Sequence, residues 1–508
     1  MSKSRDAIRT AIAIIGGGAA GCVLAARFAQ RDEASICLIE AGHDYGVDPS
    51  LWPADILDCR INVKSHSWER NCPPVRIRGK VLGGSTCING SWNLWGTAHD
   101  YNEWALYGGS QWTAKELEPY RCRAVETLGL VRTDPKRITG WSARSLQAAK
   151  RVGYIEDLDM TGYGHAQSCG CPPLNVSNGI RNNAAFAYLG PVRGRHTLKI
   201  VAEAEVISLM IKRSTIESAI AKRNGKITSI YADIFILACG ALGTPALLLR
   251  SGIGPASELI NLGVPVSVDL PGVGKNLSEH ARLSIDLLPT DALIHLLKRN
   301  EAAGRLFASS VVLRVCSSRC DSRTYDLNIL PIAGKPLFAD DNINRYTASV
   351  GVFLMKPRSR GSVTLTSSNI KSPLRVDPAL LSDECGNDVR ALKDGLAVAY
   401  ELVSCPELAS FAHVPPRPHS RLTDSDLRSL VGVYWHPTGT CKMGKGNDPM
   451  AVTDGTGLVY GFDNLYAADA SIFPSTPRAN TQLSVIAAAE MLSDSIYNRI
   501  KGNKSVGR

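Results

Sequence analysis

Residues 11–21 read Ala-Ile-Ala-Ile-Ile-Gly-Gly-Gly-Ala-Ala-Gly. The apolar run Ala11 to Ile15 predicts a buried parallel strand. Gly16, Gly18 and Gly21 follow at GxGxxG spacing, Cys22 to Gln30 predicts a helix, and Ser35 to Ile39 predicts a second strand ending at Glu40. Each position has a physical task at a dinucleotide. Gly16 permits the tight turn out of the strand, Gly18 lets backbone approach a pyrophosphate, and Gly21 lets the helix pack closely on the sheet. The helix N-terminus presents unpaired N–H groups and a positive dipole end to phosphates. Glu40 stands where a carboxylate accepts hydrogen bonds from a ribose diol, and its charge disfavours a 2′-phosphate. Two strands, a helix and an acid at these offsets make the glycine pattern a nucleotide-binding α/β signature.

A chain of 508 residues is too long for one ordinary domain. With 44% hydrophobic and 20% charged residues the composition is globular. No apolar run approaches the roughly 20 residues needed to span a bilayer, so no transmembrane segment is expected. Lys3, Arg5 and Arg9 precede an apolar run, but that run turns directly into the glycine loop and reads as the first strand, not a leader. The net charge of +10 is scattered, with no basic block interleaved with aromatics, so nucleic acid is not an expected partner. The 14 cysteines show neither paired CxxC spacing nor histidines at zinc-ligand intervals. They read as small buried hydrophobes in a reducing compartment; the expected location is cytoplasmic, with no metal site.

Further along, residues 79–91 read Gly-Lys-Val-Leu-Gly-Gly-Ser-Thr-Cys-Ile-Asn-Gly-Ser, a stretch in which backbone can run against a flat ligand. Residues 114–128 and 143–152 look helical, and 197–211 and 226–238 look like strands. Cys239-Gly240-Ala241-Leu242-Gly243-Thr244-Pro245 is a second strand–turn–helix, in which Thr244 reads as the cap and Pro245 as the first turn. From 286 to 425 strand-like runs at 308–315, 324–332, 347–355 and 361–366 alternate without nucleotide-type turns, an antiparallel module expected to wall a substrate cavity. The last 75 or so residues return to the pattern of the nucleotide-binding part: Val-Gly-Val-Tyr-Trp-His-Pro-Thr-Gly-Thr-Cys-Lys-Met-Gly at 431–444, then a strand with Asp469 at its end and a helix from Thr481. Asp469 is placed to bond a cofactor polyol or to form a turn; Asn480 or Thr481 is the natural N-cap. Tyr434 and Trp435 either line a pocket or pack.

Four ordered blocks resemble the glucose–methanol–choline (GMC) oxidoreductases over nearly the full chain. They are GGGAAG with Glu40; GKVLGGSTCING followed by DYNEW; CGALGTPALLLRSGIGP with PGVGKNLSEH; and WHPTGTCKMG with YAADASIFPSTPRANTQ. KPRSRGSVTLTS at 356–367 fits as well. The resemblance implies an α/β fold in which a Rossmann-like FAD-binding domain is interleaved with a smaller α+β substrate domain built on an antiparallel sheet. The FAD domain would take residues 1–150, 196–285 and 429–508, and the substrate domain 151–195 and 286–428.

It implies FAD as cofactor, with Gly16, Gly18, Ala19, Ala20 and Gly21 at the pyrophosphate and Glu40 at the adenosine ribose. Val81, Gly84, Ser85, Asn89, Gly90 and Ser91 would lie along it, Val206 at the adenine end, and Asp469, Ala470 and Thr481 at the ribityl and flavin region. His436 matches the active-site base and Asn480 the second active-site position, which would hold the alcohol oxygen near flavin N5. The helix from Thr481 would point its positive end at the reduced flavin. Some relatives attach FAD through a histidine where this chain has Ile88, so the FAD is expected to be non-covalent. Trp95-Gly96 departs from the family's frequent Arg-Gly.

The implied reaction is oxidation of a small primary alcohol, aromatic or heteroaromatic by similarity to furfuryl-alcohol and pyridoxine oxidases. Oxygen, a quinone or a carrier protein would accept the electrons. A cyanohydrin-cleaving lyase that keeps FAD without redox turnover is the alternative, and a light-driven decarboxylase a remoter one. No second complete GxGxxG unit is present for NAD(P)H. The remaining histidines, His43, His66, His99 and His280 among them, read as structural.

Overall fold

The computed structural model describes residues 7–60, 63, 65–68, 78–133, 138–163, 165–177, 179–304, 309–321, 323–335, 345–414 and 422–506. Lys3, Arg5, Cys72 and the first residue of the 308–315 run lie outside them.

The first strand, Ala7–Ile15, is the centre of a sheet. It pairs in parallel with Ile36–Ile39 on one side and Lys226–Leu237 on the other; Leu198–Val201 and Leu465–Ala467 extend the parallel array outward. Its apolar second half, Ile12 to Ile15, is buried on both faces, as a parallel strand between helices must be. The register brings Ile15, Ile39, Val201, Leu237 and Ala467 to one level. The turns that follow five strands therefore open on the same edge, the carboxyl edge at which ligands of open α/β sheets bind. The hairpin Ala204–Lys212 and Thr215–Arg223 continues the sheet in antiparallel fashion from the first half of Lys226–Leu237.

Two helices press on this sheet. Ala19–Arg31 buries Val23, Leu24, Phe28 and four alanines, and lies against the long C-terminal helix Thr481–Val506. The buried Glu490 of that helix takes a two-pronged ion pair from Arg27 at 2.7 and 2.6 Å, which ties the ends of the chain together.

A second sheet has its own core. Ala281–Pro289, Thr347–Leu354, Leu327–Gly334 and Val312–Val315 pair antiparallel in that order, with Ser168–Gly170 and Ile155–Glu156 at the far edge. Alternation sorts the faces: Ile329, Val350 and Val352 pack under the helix Asn387–Ser404, whereas Val312, Leu330 and Phe353 form a separate cluster with Leu94, Met355 and Ala479 on the other face. The boundary expected at 285/286 is corrected, because it cuts the strand Ala281–Pro289. The one at 150 likewise falls inside the helix Gly140–Arg151, whose Trp141, Leu146 and Ala148 belong to the second core. In both cases the element belongs whole to the second core, and the chain passes between cores in the stretch before it.

Residues 362–365 do not join this sheet; they pair with Leu374–Asp377 and pack on the helix Gly240–Arg250. That helix starts five residues before Pro245, which corrects the expected cap at Thr244. Proline in a helix leaves the carbonyl four residues back without its N–H donor. Here that carbonyl is Ala241's, and the Thr440 hydroxyl donates to it at 2.6 Å, so a distant residue makes the internal proline tolerable. No helix among the described residues is long and apolar enough to cross a membrane.

Candidate functional site

The carboxyl edge of the first sheet and the inner face of the second enclose one cavity of about 740 Å³. Gly16, Gly18, Ala19, Ala20, Glu40, Gly84, Ser85, Asn89, Gly90, Ser91, Val206, His436, Asp469, Ala470, Asn480 and Thr481 all lie on its wall, so sixteen positions named from sequence converge. Gly21 and Val81 do not. Val81 is fully buried, pairs with His43 and accepts from the Gly84 N–H, so it braces the turn from behind. Gly21 acts within the turn: a Cβ there would stand 1.8 Å from the Gly16 carbonyl oxygen.

One half of the wall is backbone. The helix Ala19–Arg31 begins without a side-chain cap, so its first N–H groups face the cavity. Across from Gly18 runs Gly84, at φ +55°, where a Cβ would meet Gly18 Cα at 2.7 Å. Two bare strips of main chain thus approach each other, a cradle that side chains would fill. Glu40 closes its end: Oε2 accepts from the Gly17 N–H and Oε1 from the Gly42 N–H, both at 2.7 Å. Burial pushes this carboxyl up to about 7 against those two bonds. The Asp469 side chain is occupied by the protein. Its Oδ2 accepts from Gly240 N–H at 2.8 Å and Thr244 Oγ1 at 2.6 Å, and its Oδ1 from Ser471 N–H at 2.8 Å. It joins two turns of the cradle, the structural task that stood beside the polyol reading in the sequence. Asn89 is likewise engaged, donating to Gln482 and accepting from Ser91 N–H at 2.9 Å.

The other half is side chain. His436 follows Trp435, whose φ of +63° is unusual for an aromatic residue. Two groups hold that turn: Arg78 donates to the Trp435 carbonyl at 3.0 Å, and Glu279 Oε1 accepts the His436 N–H at 2.7 Å. Burial pushes Glu279 up to about 7, opposed by Arg78, whose own guanidinium burial lowers to about 10. His436 is pressed well below the usual imidazole value by burial first, then by His280 and the Arg78 charge, so it is neutral at neutral pH. Its Nδ1 lies 2.9 Å from His280 Nδ1; its Nε2 lies 3.4 Å from Asn480 Nδ2. Asn480 Oδ1 is buried without a partner, and Asn480 Nδ2 also reaches the Tyr434 hydroxyl at 3.4 Å. Asn480 therefore turns its side chain into the cavity and does not act as the N-cap of Thr481–Val506. A neutral imidazole, an amide and a phenol converge here, the last held neutral by burial that raises it to about 12. The set can hold a hydroxyl oxygen and take its proton.

Around these groups the cavity is apolar and aromatic: Trp92, Leu330, Ile332, Phe353 and Tyr434, with Arg282 stacked on Trp435 at 5.1 Å. Phe353 and Tyr434 rings stand 4.0 Å apart. Ile88 lines the wall, and Trp95 lies in the core stacked on Tyr101 at 4.3 Å, away from the cavity. Sequence reading alone misses His280, Glu279 and Arg78. The first two stand inside a quoted block, PGVGKNLSEH, but nothing local distinguishes them; the pairing of Ser278 with Thr438 and of Ala281 with Val433 brings the block to His436. Among the described residues no group of three His, Cys, Asp or Glu side chains could hold a metal ion.

Two family models described as GMC oxidoreductase match residues 10–282 and 357–489. The chain is 30% identical to the 5-(hydroxymethyl)furfural oxidase of Methylovorus sp. (strain MP688), over 96% of this chain and 98% of that one. It is 29% identical to an oxygen-dependent choline dehydrogenase of Photobacterium profundum, over 95% and 92%. Among solved structures, pyridoxine 4-oxidase from Mesorbium loti superposes with a TM-score of 0.82 at 26% identity, covering 96% of this chain and 99% of the other.

Proposed function

Because this chain belongs to the GMC oxidoreductase family, an FAD-dependent family that acts on alcohols, we propose that it oxidises a small primary alcohol with a planar, aromatic or heteroaromatic body to the aldehyde. The bare cradle between Gly18 and Gly84, with Glu40 at its end, suits FAD. The absence of any histidine at residue 88 supports non-covalent binding. FAD held in this cradle would supply the hydride acceptor. The chain's own residues do the rest. Neutral His436 takes the hydroxyl proton at Nε2. Asn480 and the Tyr434 hydroxyl hold the same oxygen, which brings the reacting groups together and lowers the entropic part of the barrier. The helix Thr481–Val506 points its N-terminus, and with it a positive partial charge, at the cavity. Trp92, Phe353 and Tyr434 favour a flat substrate, an inference supported by the names of the furfural and pyridoxine oxidases above. Oxygen, a quinone or a carrier is the onward acceptor, and a cytoplasmic location completes the reading.

The observation that carries the proposal is the pairing of His436 Nε2 with Asn480 Nδ2, 3.4 Å apart on the cavity wall with Asn480 Oδ1 left unpartnered: one hydroxyl can donate to the imidazole nitrogen and accept from the amide N–H. The test is to mix purified holoprotein, without air, with a panel of furanyl, pyridyl, benzyl and short aliphatic alcohols, and to follow the flavin's visible absorbance. The panel is then repeated with oxygen and with an artificial dye. Bleaching by the planar alcohols ahead of the aliphatic ones is expected. A flavin that stays oxidised throughout, with cleavage of a cyanohydrin instead, would replace this reading with a lyase.

A further inference from the structure

We propose that His280 is a positioning residue that selects the tautomer of His436, keeping the His436 proton on Nδ1 and the lone pair of Nε2 on the cavity side. The inference rests on the reading of His436 as the base and adds to it which nitrogen acts and why.

The argument is a count of protons. His280 is fully buried. Its Nε2 lies 3.1 Å from the carbonyl oxygen of Pro477, which can only accept, so Nε2 carries a hydrogen. Burial presses the His280 imidazole down to about 3, so at neutral pH it holds one proton only, and its Nδ1 is a bare acceptor. That nitrogen faces His436 Nδ1 at 2.9 Å, with the two rings perpendicular and their centroids 5.1 Å apart. One hydrogen must lie between two nitrogens at that distance, and only His436 can supply it. Neutral His436 is thereby left with an unprotonated Nε2, and this is the atom that Asn480 Nδ2 approaches from the cavity. The opposite tautomer would place two buried lone pairs against each other, at the cost of an unmade hydrogen bond.

The charged and titratable neighbours do not alter the count. Arg78 and Glu279 act on the backbone and field around His436, while Asp100 and Lys356 act on His280 from the neighbouring segments. When His436 Nε2 takes a substrate proton, its Nδ1–H becomes a charged donor to His280 and the bond between the rings strengthens. The cation that forms is thus held in place by a neutral partner. A carboxylate in the same position would also fix the tautomer, but it would raise the basicity of His436 further.

The test uses holoenzyme labelled with 15N-histidine. Ring nitrogens are observed through their couplings to carbon-bound protons, and His436 is identified by the signals missing from His436→Ala. The expected pattern for His436 is a protonated Nδ1 and a bare Nε2. His280→Leu, which removes the acceptor, should move the proton toward Nε2 and lower kcat about 10-fold or more with KM little changed. His280→Asn, whose amide oxygen replaces Nδ1 as acceptor, should restore the parent pattern and most of kcat. A parent spectrum with His436 protonated on Nε2 would overturn the proposal, and so would a loaded His280→Leu protein with an unchanged His436 pattern. The parent spectrum decides even if neither variant folds. The expected tautomer together with a His436→Ala enzyme that reduces its flavin as fast as the parent would leave the His280 assignment standing and remove the base.

Discussion

Two turns end at the same cavity and are built from different material. At residues 16–21 the wall is main chain: the strand Ala7–Ile15 stops, the helix Ala19–Arg31 starts, and the spacing of glycines lets Gly18 and Gly84 face each other with nothing between. At residues 434–436 the wall is side chain, and no residue of the turn suffices alone. His436 depends on Glu279 and Arg78 for its backbone, on His280 for its ring and on Asn480 for its partner in the cavity. The difference lies in what each tolerates. A backbone cradle has no room for new atoms, so an addition destroys binding. A side-chain constellation accepts deletions and remains folded, but loses its chemistry.

The sharpest way to break this contrast is to add one methyl group to the first turn. Gly21→Ala puts a Cβ 1.8 Å from the Gly16 carbonyl, and backbone must move. Gly18→Ala meets nothing closer than Gly84 Cα at 4.0 Å. Gly21→Ala should therefore lose FAD and fold stability together, whereas Gly18→Ala should lose FAD with the melting temperature of the cofactor-free protein nearly unchanged. The ratio of flavin absorbance to protein and a thermal melt read the two effects separately, and equal melting losses would mean that the cradle is not shaped around a ligand.

At the second turn the matching deletion is His436→Ala. FAD content should stay at the parent level while flavin reduction by alcohol slows about 10²-fold or more, the usual worth of a positioned general base. Stopped-flow absorbance without air measures it, and an unchanged rate would take the proton-accepting role from His436.

The same contrast explains how much can be read from the sequence. The first turn is legible because its cause is local: a glycine pattern, a strand on either side and Glu40 lie within 30 residues. His436 and Asn480 are reached through resemblance, since a histidine followed by proline and threonine carries no chemical mark of its own. His280 reads as structural in the sequence, because its use depends on a partner 156 residues away and on a carbonyl 197 away. The substrate walls are the least legible. Leu330, Ile332 and Phe353 stand in the stretch between residues 282 and 357 that neither family model matches, on strands whose alternation fixes a face but not a ligand. The boundaries expected at 150 and 285 miss for a related reason: the helix and the strand that open the second core look, in sequence, like the elements of the first.

Glu40 tests the cradle more gently. It titrates near 4.5 when unfolded and about 7 when folded, because burial disfavours its charge. A carboxyl raised on folding contributes stability that is complete below the unfolded value and is lost as pH rises through the folded one. Between pH 5 and 8 the cofactor-free parent should therefore lose about 2 kcal/mol relative to Glu40→Gln, apart from a pH-independent offset for the acceptor that the amide gives up. Urea unfolding at the two pH values measures the difference. A constant gap would mean that the carboxylate stays solvated, and the closed end of the cradle would then have to be wider than the structure has it.

The smallest expected effect separates wall from machinery at the second turn. Tyr434→Phe keeps the ring contacts to Phe353 at 4.0 Å and to His436 at 4.3 Å and removes only the hydroxyl, which lies 3.4 Å from Asn480 Nδ2. A hydrogen bond so long contributes little, on the order of 1 kcal/mol or less, so flavin reduction should fall by no more than about fivefold with KM for a planar alcohol unchanged. Phe353→Ala should do the reverse, raising KM for planar alcohols and sparing the rate at saturation, because its ring touches the body of the substrate and not the reacting oxygen. Were Tyr434→Phe to cost as much as His436→Ala, the phenol would be a partner in proton removal and not only a weak hold on the oxygen. Were it to cost nothing while Phe353→Ala raised KM, Tyr434 would join the aromatic wall, and the chemistry would be confined to the pair that the Thr481–Val506 helix and the 434–436 turn bring together.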